Sequence, residues 1–158
     1  MIPKKGDKFM ERAFKMARKG IKAGQSPFGA VIVKNGRIIA EAHNEVWKDT
    51  DITAHAEIVA IRKACKKLKT INLSGCQIYA TTEPCPMCFS AIHWARIDII
   101  ISANTIGDAM MYGFNEMQIS NRTLKEKGHL PTLLIGNFYR GRGLKLFEEW
   151  SKRNGKTY

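Results

Sequence analysis

Two stretches decide how this chain is read: 53–59, TAHAEIV, and 81–88, TTEPCPMC. The first sets His55 and Glu57 two positions apart. The second pins Cys85 between Pro84 and Pro86 and follows it with Cys88. A residue that precedes proline avoids the helical region, so Glu83 and Cys85 are expected to be extended. Pro86 then suits the first position of a helix, where no N–H is needed. That order puts Cys85 at the cap and Cys88 one turn later on the same side. A helix N-terminus favours negative charge and pushes both sulfurs toward thiolate. Two thiolates that close attract a cation.

His55 supplies a third ligand. It falls near the start of a second helix, with Thr53 read as its N-cap. Residues two apart do not share a helix face. They can still converge on a point beyond the helix end, so the metal is expected where the N-termini of two helices meet. Two sulfurs and one imidazole suit zinc. Three protein ligands leave the fourth position open, which is the pattern of a catalytic site. That position would hold water whose pKa the metal lowers, and Glu57 is read as a proton carrier beside it. A Cys-x-x-Cys pair alone also fits a redox pair or half of a zinc ribbon. A ribbon needs a second ligand pair, and Cys65 and Cys76 are not spaced as one; they read as small core residues. A redox site has no need of His55-Ala56-Glu57.

The flanking sequence reads as one α/β domain. Phe9, Ala13, Met16, Ala17 and Ile21 recur at helical spacing over residues 7–23, and Gly24 is a natural stop. PFGAVIVKNGRIIAEAHN reads as two strands around Asn35-Gly36, a strong hairpin signal. A helix then carries His55 and Glu57. GCQIYATT is a third strand, PMCFSAIHWARI a short helix, and IDIIISA a fourth strand, apolar enough for burial on both faces. Strand, helix, strand implies a right-handed crossover and parallel strands. Residues 104–130 read as loop with a short helix. TLLIGNFY is either a fifth strand or part of a helix, and GLKLFEEWSKRN is a final helix.

The 158 residues suit a single core. Hydrophobic residues make up 44% and charged residues 25%, ordinary for a globular protein. No apolar run approaches the ~20 residues that a membrane helix needs. The stretch MIPKKGDKF has no apolar h-region, so it is not read as a secretory signal, and the expected compartment is the cytoplasm. The formal charge of +12 attracts polyanions such as RNA. The basic residues are nevertheless spread along the chain, from Lys4 and Lys5 to Lys156, which also fits a solvated lysine-rich surface.

Taken together, His55, Glu57, Cys85 and Cys88 resemble the signature of the zinc-dependent nucleobase deaminases, within the cytidine and deoxycytidylate deaminase superfamily. The resemblance runs over nearly the whole chain. It implies a three-layer α/β/α fold with a mixed five-stranded sheet, and one Zn2+ per subunit. PFGAVIV, TAHAEIVAIRKAC, EPCPMC, WAR and GFNE, with Tyr158, are similar to bacterial-type guanine deaminases. The tRNA adenosine deaminases share the hairpin and zinc motifs but usually lack the second proline and the Trp-Ala-Arg run. The guanine deaminase resemblance implies hydrolysis of guanine to xanthine and ammonia. It implies that Phe28 stacks on the base, Asn44 hydrogen-bonds its edge and Trp94 lines the pocket. It also implies that Glu116 moves protons where the family typically has aspartate. It further implies a homodimer in which about 137–158 is exchanged and Tyr158 closes the partner's pocket. A tRNA-specific adenosine deaminase, a cytosine or other small-amine deaminase, and a non-catalytic zinc module are the rival readings. The plain alternatives are that Phe28 is core, Asn44 a turn residue, Trp94 structural, Glu116 a solvated acid and Tyr158 a frayed end.

Overall fold

A computed structural model of the chain describes residues 7–158. Lys4 and Lys5, and most of the stretch in which no secretory signal is read, lie outside the described residues. In chain order the elements are α1 (Asp7–Lys22), β1 (Gly29–Lys34), β2 (Arg37–His43), α2 (Val46–Asp49), α3 (Ala56–Leu68), β3 (Cys76–Thr82), α4 (Pro86–Trp94), β4 (Ile99–Asn104), α5 (Ile106–Met111), α6 (Asn121–Lys127), β5 (Leu133–Ile135) and α7 (Arg140–Ser151).

The strands form one mixed sheet in the order β2-β1-β3-β4-β5. β1 pairs antiparallel with β2 and β3. β3 pairs parallel with β4, and β4 with β5. The hairpin turns at Asn35 and Gly36, with φ of 49° and 71°. Two successive positive φ values suit the right-handed twist of the strands, and glycine takes the second without a Cβ penalty.

Strand side chains alternate between two cores. Ala30, Ile32, Ile78 and Ile100 face a layer that includes Ala60 and Ala64 of α3 and Phe89 and Ile92 of α4. Val31, Val33, Tyr79 and Ile101 face Phe9, Phe14, Leu146 and Phe147 of α1 and α7. Full burial of each such side chain contributes roughly 1.5–3 kcal/mol. The arrangement is the three-layer α/β/α fold expected from the sequence, and β4 is buried on both faces, as its composition predicts.

Several boundaries differ from the sequence reading. Residues 104–130 hold two short helices rather than one. α5 is capped by Thr105, whose side chain forms a capping box with Asp108, and α6 by Ser120. The Thr-x-x-Asp spacing was the missed signal. The stretch 132–139 resolves as a three-residue strand followed by turns. Thr53 is not the cap of α3: its backbone N–H and hydroxyl both bind Asp51 Oδ1, and His55 occupies the cap position.

Candidate active site

The site lies where α3 and α4 begin. His55 caps α3 with extended backbone angles of φ −63° and ψ 155°. Cys85 caps α4 in the same way, at φ −62° and ψ 166°, with Pro86 opening the helix. Neither cap makes a side-chain hydrogen bond to its own helix, so both side chains are available to a shared partner. Extended backbone before each helix aims them at one point. His55 Nδ1 lies 3.6 Å from Cys85 Sγ and 3.6 Å from Cys88 Sγ. The three ligand atoms all fall within 4.8 Å of one another, a cluster positioned to bind a metal ion.

The electrostatics of this cluster suit a cation. Hydrogen bonding from Cys88 holds the Cys85 thiol down to about 4 against its burial, and His55 adds to the effect. The same bond, with burial, pushes the Cys88 thiol up. Burial acts to lower His55, but the hydrogen bond with Cys85 and the charges of Glu57 and Cys85 outweigh it and raise the imidazole. One thiolate beside a second thiol and an imidazole is a donor set that suits zinc.

Glu57 is the second residue of α3, in its first turn, and is buried. Its Oε2 accepts from Cys88 Sγ at 3.5 Å. Burial pushes its carboxyl upward, with the charge of Cys85 adding and that of His55 opposing. Glu116 comes from the segment between α5 and α6 and faces the same point. Burial and the nearby Cys85 charge push it up to about 7. Two carboxyls, both raised above their ordinary range, beside a candidate metal-binding cluster are suited to proton transfer.

Two cavities that share lining residues adjoin these groups. A small inner cavity of about 20 Å³ is lined by Phe28, His55, Glu57, Thr82, Glu83, Cys85 and Glu116. An outer cavity of about 280 Å³ shares His55, Cys85 and Glu116 and opens between Met87, Phe114 and Tyr158. Phe28 packs edge-on against Phe114 at 4.9 Å between ring centroids and against Phe147 at 5.9 Å, so it is core and wall at once. Asn44 is fully buried. Its Oδ1 accepts from Val46 N–H at 3.1 Å, and its Nδ2 donates to the Tyr158 hydroxyl at 2.6 Å. The Tyr158 ring stands 5.5 Å from the His55 ring and 5.6 Å edge-on from Phe114.

The structure thus brings together His55, Glu57, Cys85, Cys88, Glu116, Phe28, Asn44 and Tyr158. It does not bring Trp94 to them: that residue ends α4, is 80% exposed and meets His93 instead. Sequence reading missed Phe114, Thr82, Glu83 and the apolar rim of Ile52, Met87 and Met117. Phe114 stood inside the quoted GFNE stretch and Met87 between the two cysteines, so proximity to the motifs was their signal.

The cytidine and deoxycytidylate deaminase zinc-binding region is matched over residues 3–104, which include all three candidate ligands and Glu57. The chain belongs to that family. The deaminase is 50% identical over 109 residues to a guanine deaminase of Bacillus subtilis, covering 68% of this chain and 70% of the relative. It is 46% identical over 93 residues to a tRNA-specific adenosine deaminase of Aquifex aeolicus, covering 59% of this chain and 62% of that relative, less than two thirds of its length. Among solved structures, a guanine deaminase of Nitrosomonas europaea superposes with a TM-score of 0.84 at 26% identity, covering 91% of this deaminase and 83% of that chain.

Proposed function

We propose that this deaminase acts on a free nucleobase and converts guanine to xanthine and ammonia. The observation that carries the proposal is the placement of Tyr158 over the metal cluster. With it in place the outer cavity holds about 280 Å³, near the lower end of the roughly 300–1,000 Å³ usual for ligand pockets. That space suits a single base better than a nucleotide within a folded RNA. The likeness to the Bacillus guanine deaminase supports the same reading.

His55, Cys85 and Cys88 would hold zinc. When bound, that ion supplies the Lewis acidity that makes water a nucleophile near neutral pH. Glu57 takes a proton from the attacking water as its oxygen bonds to the amino-bearing ring carbon. Glu57 passes that proton to a ring nitrogen. The hydroxyl now on that carbon then gives up its proton as it becomes the carbonyl, Glu57 delivers that proton to the amine as the carbon–nitrogen bond breaks, and ammonia leaves. Glu116 is the second proton carrier, with the longer side chain where aspartate is typical. Phe28 and Phe114 flank the base, and Asn44 offers its Nδ2 to the base edge once Tyr158 releases it. We assign Trp94 no contact within its own subunit. A homodimer is the expected assembly, and an exchanged 137–158 segment would place a second copy's tyrosine where Tyr158 lies. All four cysteines are unpaired, which fits a reducing cytoplasm. Among the described residues, no helix is long and apolar enough to cross a membrane.

The +12 charge and the likeness to tRNA adenosine deaminases favour a second reading, in which the base is flipped out of an RNA loop. Ammonia release from guanine, adenine, cytosine, cytidine and tRNA separates the two. Guanine turnover with inert tRNA supports the free-base reading. Salt-sensitive tRNA turnover with inert guanine overturns it.

A further inference from the structure

Glu83 stands two residues before Cys85, at the corner between β3 and α4. Its backbone N–H donates to Asn104 O at 2.8 Å, which extends the β3–β4 pairing one residue past the end of β3. Its carboxylate reaches two further elements. Oε1 accepts from the backbone N–H of Asn121 at 2.7 Å, and Oε2 from that of Ile106 at 3.3 Å. Ile106 opens α5 and Asn121 opens α6. These N–H groups have no partner within their own helices, and a carboxylate is a strong acceptor for them. Asn121 answers with its side chain: it is 4% exposed, and its Nδ2 donates to Pro84 O at 2.6 Å.

The two helices flank the segment that carries Phe114 and Glu116. One carboxylate therefore ties the corner bearing Cys85 to both ends of the segment bearing Glu116. Glu83 also lines the inner cavity at the site. A separate cavity of about 270 Å³, lined by Ser102, Asn104 and Asn121, lies on its other side.

We propose that Glu83 is a positioning residue: by clamping α5 and α6 to the Pro84 corner, it fixes Cys85 and Glu116 relative to one another. The activity arm of this inference rests on the deaminase reading above; the metal arm does not. Outer groups that orient metal ligands typically matter by about 10–100-fold in affinity or activity.

The test uses the full chain carrying Glu83→Gln, Glu83→Ala or Asn121→Ala, with Glu126→Ala as a surface control. Gln keeps the shape and one good acceptor but loses the charge, so the expected order is wild type, then Gln, then Ala. In Glu83→Ala, kcat is expected to fall about 10–100-fold and KM to rise by less than that, because Phe28 and Asn44 lie outside the clamped segment while Phe114 lies within it. Independently of turnover, the absorption spectrum of the Co2+-loaded protein is expected to shift, and a chelator to strip its metal faster. The control changes neither. A folded Glu83→Ala protein with the wild-type Co2+ spectrum, or with wild-type kcat on whichever base the wild type deaminates, overturns the inference. Should Glu83→Ala fail to fold, Glu83→Gln and Asn121→Ala decide it by the same readouts. Should the wild type release no ammonia from any base, the functional reading fails, and the Co2+ spectrum alone decides the role of Glu83.

Discussion

Asn44 Nδ2 donates to the Tyr158 hydroxyl across 2.6 Å, so the residue after β2 and residue 158 meet beside His55. The contact is held from outside by Trp47, whose Nε1 donates to Lys156 O at 3.3 Å. A base that uses Asn44 must first separate this pair. Removing the hydroxyl and removing the ring should therefore act in opposite directions. Tyr158→Phe frees the Asn44 donor at a gain of about 1 kcal/mol, so KM for guanine is expected to fall about fivefold. Tyr158→Ala removes a wall of the cavity, and KM is expected to rise. Steady-state kinetics of the two variants check this; equal shifts in one direction would refute the latch.

Glu57 is expected to matter for turnover and not for metal retention. It is buried and bonded to Cys88, but it is not one of the three clustered ligands. Glu57→Gln should keep one zinc per chain by elemental analysis. Its kcat should fall by roughly 10²–10⁴, the usual worth of a positioned proton carrier. Loss of zinc in step with activity would recast Glu57 as a ligand.

Chelation should separate chemistry from folding. His55 and Cys85 are only partly buried, and Cys88, though fully buried, belongs to neither packed hydrophobic cluster. The stripped protein is expected to keep its far-UV circular dichroism while ammonia release disappears. Wholesale unfolding on chelation would instead mark the metal as structural.

Asp108 gives a pH dependence remote from the metal cluster. Its carboxylate is buried, accepts from Arg140 Nε at 2.9 Å and Nη2 at 2.6 Å, and accepts from Thr105 N–H at 2.8 Å. The Arg140 hydrogen bonds hold it below its ordinary value. A lowered folded value means that the contribution is complete above the unfolded value of about 3.9 and is lost as pH falls through the folded one. Asp108→Asn should lower the urea midpoint at pH 7, and the gap to wild type should close in strong acid. A gap that persists there would show that packing, not charge, is what the substitution removes.

Gly29 opens β1 directly beneath α1. A Cβ there would collide with the Ala13 carbonyl and lie 2.7 Å from Ala17 N. Gly29→Ala is expected to destabilise the fold by about 1–3 kcal/mol, measured by urea unfolding.

The legible parts of this protein are those where local chemistry leaves few options. Pro84, Cys85 and Pro86 dictate an extended residue and then a helix start, and the corner forms as read. Asn35-Gly36 dictates the hairpin. Ile100 and Ile101 announce a strand covered on both faces. Less legible were the elements whose state depends on distant partners. The short α5 and α6 do carry local caps at Thr105 and Ser120, but their place is set by Glu83, a residue far away in sequence. Thr53 looks like a helix cap by type but is held by Asp51. The same holds within the site. The ligands and Glu57 follow from spacing, whereas the rim of Met87, Phe114 and Met117 follows from how loops fold over it.

The central claim is that Glu57 and the His55–Cys85–Cys88 cluster deaminate a free guanine. Its most direct test is chromatographic detection of xanthine formed from guanine by purified, zinc-loaded protein, with Glu57→Gln run alongside. The account predicts xanthine and ammonia in equal amounts from the wild type and none above background from the variant. Unchanged guanine after prolonged incubation with the wild type, or xanthine formed as fast by the variant, would contradict it.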